Sequence, residues 1–133
     1  MTKGYVLNNS LSVRDIDRII YGLERCGFTA VLLPFEIKDI NPTDDVAIVG
    51  LPAATEDLVD IEDLVARCVA IGIRIVILWL SVDATLPPTL GSYGAAAAPP
   101  EADELGDILG GAALWLDPVG IPRPKELIPR NKC

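Results

Sequence analysis

Ile73-Arg74-Ile75-Val76-Ile77-Leu78-Trp79-Leu80 is apolar at every position but Arg74. A strand with one wet face alternates apolar and polar residues; a run that does not alternate belongs at the centre of a sheet covered on both sides, the usual setting of parallel strands. Upstream, Ile61, Leu64, Val65, Cys68 and Val69 recur at helical spacing and Gly72 ends the pattern, so a helix over 60–71 feeds a strand over 73–80. Further upstream, Val46 to Leu51 reads as another apolar strand.

The amino-terminal third repeats this order. Residues 4–8 open a strand, and Ser12 followed by Asp15 is an N-cap pattern. Val13, Ile16, Ile19, Ile20 and Leu23 form one face of a helix over 13–26 that Gly27 stops, and 29–33 is a second strand closed by Pro34. Pro34, Asn41 and Pro42 leave the next connection room for only a turn or one helical turn. After the central strand, residues 81–100 hold Pro87, Pro88, Gly91, Gly94, an alanine run and Pro99-Pro100, which reads as a long surface connection. A short helix over 101–109, a fifth strand over 112–117 and a proline-rich basic tail over 118–133 complete the chain.

Strands alternating with helices predict a single α/β domain over 1–133, a flavodoxin-like three-layer sandwich with a five-stranded parallel sheet in the order 2-1-3-4-5. Half of the 133 residues are hydrophobic, enough for a real core. The longest unbroken apolar run is far too short to cross a bilayer and the first residues carry no secretory pattern, so the expectation is a cytoplasmic protein without membrane contact. Cys26, Cys68 and Cys133 lack zinc-ligand spacing and read as reduced thiols. With no histidine, His-based catalysis and His metal ligation are excluded, and no metal site is expected. Residues 1–120 carry 18 acids against 7 bases, which disfavours nucleic acid as a partner.

In such sheets ligands gather beyond the carboxyl ends of the strands. Asn8, Asn9 and Ser10 follow the first strand and are candidate ligand-binding residues, although Asn-Asn-Ser also suits a strand-to-helix turn. Glu56, Asp57, Asp60, Glu62 and Asp63 follow the third strand; a second acidic segment holds Glu101, Asp103, Glu104 and Asp107. Solvated helix starts explain such segments, with Asp60 as N-cap and Asp63 at N3. The sharper reading makes Glu56, Asp57 and Asp60 a docking surface for a basic protein.

Two families share this topology. Tyr5-Val6-Leu7 and Gly111-Ala112-Ala113-Leu114-Trp115-Leu116 resemble a receiver domain, but Asn8 and Asn9 stand where that family has its acidic pair, and its phospho-acceptor position falls on Gly50 or Leu51. The chain resembles at most a degenerate receiver, without phosphoryl-transfer chemistry. Residues 4–80 are more similar to a Toll/interleukin-receptor (TIR) domain. Gly4 through Asp15 resemble its first strand and serine-containing loop, Leu23-Glu24-Arg25-Cys26-Gly27-Phe28 its first helix end, Ala47 through Pro52 its third strand, and Asp63-Leu64 the start of the helix that carries its catalytic glutamate. Leu51 and Val59 replace that family's serine and tryptophan, and its second helix has no counterpart. The resemblance implies a TIR-like protein-interaction module, a bacterial defence adaptor or immunity protein that needs no cofactor and leaves a homo-oligomer open. The alternative it implies is a TIR-like or nucleoside-transferase-like glycosidase that cleaves NAD or a related nucleotide, with Glu62 or Asp63 as catalytic carboxylate.

Overall fold

The computed structural model describes residues 2–8, 11–53 and 59–124, with the side chains of Val59, Asp60 and Thr89 left aside. Strands β1 (Lys3–Val6), β2 (Thr29–Val31), β3 (Val46–Leu51), β4 (Ile75–Trp79) and β5 (Ala96–Ala98) form one parallel sheet in the order β2-β1-β3-β4-β5. Helices α1 (Val13–Arg25), α2 (Val59–Ala70), α3 (Pro88–Tyr93) and α4 (Leu105–Leu109) connect the strands, and the link from β2 to β3 holds a single 3-10 turn, Ile37–Asp39. This is the flavodoxin-like order expected from the sequence.

The period of two along each strand divides the core into two slabs. Tyr5, Val49, Leu51, Ile75, Ile77 and Trp79 point to one face, where Ile61, Val65 and Cys68 of α2 and Leu90 of α3 cover them. Val6, Ile48, Val76 and Leu78 point to the other, against Ile19 and Leu23 of α1 and Leu105 and Ile108 of α4. Every residue of β3 and β4 is buried. Full burial of one such side chain contributes about 1.5–3 kcal/mol.

Helix α1 begins where Ser12 accepts a hydrogen bond from the Asp15 N–H at 3.1 Å, and it ends before Gly27, whose φ of 84° suits glycine.

The fifth strand departs from the expectation. Ala112–Leu116 forms no full strand; Trp115 makes one isolated parallel bridge to Ala97, with hydrogen bonds from Ala97 to Leu114 and from Leu116 to Ala97. The strand proper is Ala96–Ala98, and the segment expected to be a surface connection supplies both α3 and β5. All three alanines are buried. The small side chain of Ala97, and Gly94 just before the strand, leave room for Trp115 on one face; a Cβ on Gly94 would stand 3.2 Å from its ring and 2.7 Å from the Leu90 carbonyl. Trp115 and Trp79 are both core residues, and Trp79 donates from Nε1 to the Leu116 carbonyl at 2.9 Å.

Gly22 lies in the middle of α1, where alanine is intrinsically better by about 1 kcal/mol. A Cβ there would sit 2.8 Å from the Pro100 carbonyl oxygen, a backbone atom that cannot swing aside. Overpacking of this kind costs about 1–3 kcal/mol and outweighs the propensity gain. Gly22→Ala is therefore expected to lower the urea midpoint; a variant as stable as the parent would show that 99–101 yields freely.

Candidate functional site

The order β2-β1-β3-β4-β5 reverses direction between β1 and β3, and the carboxyl ends of those strands are where an open α/β sheet forms its crevice. Asn8 stands there. Its Nδ2 donates to the Gly50 carbonyl at 3.0 Å, and the Gly50 N–H donates to its Oδ1 at 2.8 Å. The side-chain amide thus copies a peptide unit and extends the β1–β3 pairing after the Leu7 N–H has bonded Ile48. One Nδ2 hydrogen and one Oδ1 lone pair are left for any other contact.

Of the other sequence candidates, Asn9, Ser10, Glu56 and Asp57 lie outside the described residues. Helix α2 starts at Val59, which puts Asp60 within its first turn instead of at the cap. Glu62 and Asp63 follow on the same helix, and both are exposed. Their placement suits the positive end of the helix dipole. Neither lines the cavity of about 370 Å³ that opens at the carboxyl ends of β4 and β5 among Trp79, Leu80, Ser81 and Pro99. Asn8, too, is not among the residues that line this cavity.

Two side chains organise that edge: Arg18, which sequence reasoning passed over, and Asp117, which follows the expected fifth strand and so falls at the carboxyl edge by sequence. Arg18 forms a two-pronged pair with Glu101, Nε to Oε2 and Nη2 to Oε1 both at 2.9 Å, while Nη1 donates to the Leu80 carbonyl at 2.7 Å. Asp15 adds a looser contact at 3.5 Å. The Arg18 guanidinium holds the Glu101 carboxyl below its ordinary range, and Glu101 in turn raises Arg18. Because the partners are 83 residues apart, no local pattern announces the pair.

Asp117 is the second. It is buried, and its Oδ1 accepts from the N–H groups of Val119 and Ile121 while Oδ2 accepts from Arg123. Burial pushes its carboxyl upward, but the two backbone donors and Arg123 outweigh burial and bring it down. Its signal in sequence is Asp117-Pro118-Val119-Gly120, a turn pattern and not a catalytic one. At the opposite end of the sheet, Arg74 donates to the carbonyls of Ile108 and Ala112, both at 2.7 Å, and so satisfies acceptors at the end of α4.

Among the described residues no group of three or more His, Cys, Asp or Glu side chains is arranged to hold a metal ion. Cys68 is buried, which pushes its thiol up and makes it a poor nucleophile. No helix among the described residues is long and apolar enough to cross a membrane. No family model, curated protein or solved structure matches this chain.

Asn8→Ala leaves the Gly50 N–H and carbonyl without their partners and is expected to destabilise the fold by about 1–3 kcal/mol in urea unfolding; an unchanged midpoint would mean that water replaces the amide without loss. For Asp117, a folded pKa below the unfolded value gives stability that is present above about pH 4 and is lost as pH falls through the folded pKa. Asp117→Asn should therefore lower stability at neutral pH and shrink its difference from the parent toward about pH 3. A gap that stays constant over that range would contradict the role given to the Asp117 charge.

Proposed function

We propose that this chain is a TIR-like protein-interaction module that docks a basic protein partner through acidic loops at the carboxyl edge of its sheet. The observation that supports the reading best is how that edge uses its polar groups. Asn8 is turned onto Gly50, Arg18 onto Leu80 and Glu101, and Asp117 onto Val119 and Ile121. A site for a small polar ligand needs convergent groups that face a cavity. Among the described residues these three face the protein's own backbone and, for Arg18 and Asp117, a charged side chain of the same chain.

Charge supports the same reading. The chain has 19 acids and 11 bases, and five of the acids fall within Glu56–Asp63, directly after β3. In the second acidic segment Glu101 pairs with Arg18, and Glu62 and Asp63 of the first lie on the surface of α2. An exposed field of one sign attracts a surface of the other, speeds encounter and selects among partners, and it is screened within about 8 Å at physiological salt.

The test has two arms. Glu56→Gln, Asp57→Asn and Asp60→Asn are combined, and capture of basic proteins from a lysate is compared with the parent at low and physiological salt. The expected result is loss of the salt-sensitive partners with an unchanged circular dichroism spectrum; equal capture by both would overturn the acidic docking face. The second arm incubates the parent with NAD and follows nicotinamide, and none is expected to appear. Nicotinamide release that is abolished by Glu62→Gln or by Asp63→Asn would overturn the binding reading and establish the glycosidase.

A further inference from the structure

The outward side of α1 carries an arrangement that the fold itself does not use. Val13 is 79% exposed and Tyr21 69% exposed, the two highest values among the large hydrophobic side chains described. They lie four residues on either side of Asp17, so about 6 Å of helix separates each of them from that residue. Arg14 and Asp17, between them, are also exposed, and neither has an ion-pair partner among the described residues, although Asp15 and Arg18 on the same helix are paired. A shallow groove of about 500 Å³ runs along this face between Val13, Arg14, Asp17, Tyr21 and the Arg18–Glu101 pair.

We propose that this face is an isologous interface between two copies of the chain, with Val13 of each copy on Tyr21 of the other and Arg14 of each paired with Asp17 of the other. The spacing carries the argument. An isologous contact requires that if residue i meets j, then j meets i. Two α1 helices laid antiparallel about a two-fold axis near Asp17 satisfy this, because Val13 and Tyr21 are equidistant from the axis. The same operation sets the two Asp17 carboxylates near the axis, with the Arg14 of each copy about 4.5 Å along the helix from the opposite Asp17 and long enough to reach it. Two carboxylates at the centre and one cation on each flank sum to neutral, whereas a partner of uniform charge would meet a like charge on part of the face.

The face is also held in place. Arg18 ties α1 to Glu101, and a Cβ on Gly22 would already crowd Pro100, so the helix sits tightly on the segment after β5 and presents its outer side without rearrangement. One helix face is smaller than the roughly 800 Å² per partner of standard interfaces, so a weak, concentration-dependent association is expected. This surface is distinct from the acidic loop after β3, and its test is independent of NAD or of any second protein.

The experiment is sedimentation of the full chain over a range of concentrations, with two charge reversals, Arg14→Glu and Asp17→Lys. The parent is expected to pass from monomer to dimer. Each variant alone places like charges together twice per dimer and should weaken association by about tenfold or more. An equimolar mixture of the two is expected to recover the dimer. In the mixed pair the introduced glutamate of one chain faces the introduced lysine of the other, while the unaltered Arg14 and Asp17 pair on the second side. Recovery also shows that both variants are folded. A parent that remains monomeric up to about 1 mM, single variants that dimerise as the parent does, or a mixture that stays monomeric would each overturn the proposal.

Discussion

Strands β3 and β4 pair along five register positions, Ala47 with Ile75 through Leu51 with Trp79, and are buried on both faces. Two adjacent strands with no wet side require a covering layer above and below, and the chain supplies α1 and α4 on one side and α2 and α3 on the other. The other strands follow from that requirement. β1 extends the sheet beyond β3 and is itself flanked by the short β2, while β5 closes the β4 side with the narrow alanine ladder. The carboxyl edge, with Asn8, Leu80 and Asp117 on it, is where this packing releases the chain into loops.

Periodicity made the buried middle of the molecule legible. Ile75–Trp79 and Val46–Leu51 are strands because nothing in them is polar enough to face water; the first is shorter at both ends than the apolar run 73–80, and Arg74, just before it, reaches the end of α4. Helices α1 and α2 were readable from spacing and glycine stops, and the turn at Ile37–Asp39 from proline placement. The fifth strand was not, because alanine is depleted in strands and proline and glycine surround Ala96–Ala98. Its membership depends on burial beside Trp115 and Leu105, which is decided by tertiary packing and by no local preference. Conversely, Leu114-Trp115-Leu116 looks like a strand because it is apolar, yet it contributes only isolated bridges, Trp115 to Ala97 and Leu116 to Pro122.

The candidate site was legible only in part, for a related reason. Asn8 could be seen as a polar residue at a strand end, but a strand end offers its amide two fates, a ligand or the neighbouring backbone, and sequence does not distinguish them. The Gly50 peptide decides in favour of the backbone here. Gly50 is the residue that permits it, since a Cβ at that position would lie 2.8 Å from Leu80 and 3.1 Å from Ile19. Arg18 and Glu101 were unreadable as a pair because they are 83 residues apart, and no helix-local spacing joins them.

These side chains share one physical task at the edge. A parallel sheet ends with peptide groups that no further strand completes, and they must find other partners or water. Asn8 takes up both groups of Gly50, Arg18 takes the Leu80 carbonyl, and Asp117 takes two N–H groups of the turn that follows it. What such an edge still presents outward is side-chain charge together with Val82 and Val119, both exposed beside the Arg18–Glu101 pair. Scattered apolar tips among charges resemble the composition of a protein-binding surface more than that of an enclosed ligand pocket. The same Arg18 fixes α1 for the proposed two-fold contact. One side chain links the two proposals, because Arg18 bonds the Leu80 carbonyl at the edge and holds, through Glu101, the helix that would join two copies. A dimer would then carry two acidic segments and could bind a partner bearing two basic surfaces with an effective concentration that neither copy has alone.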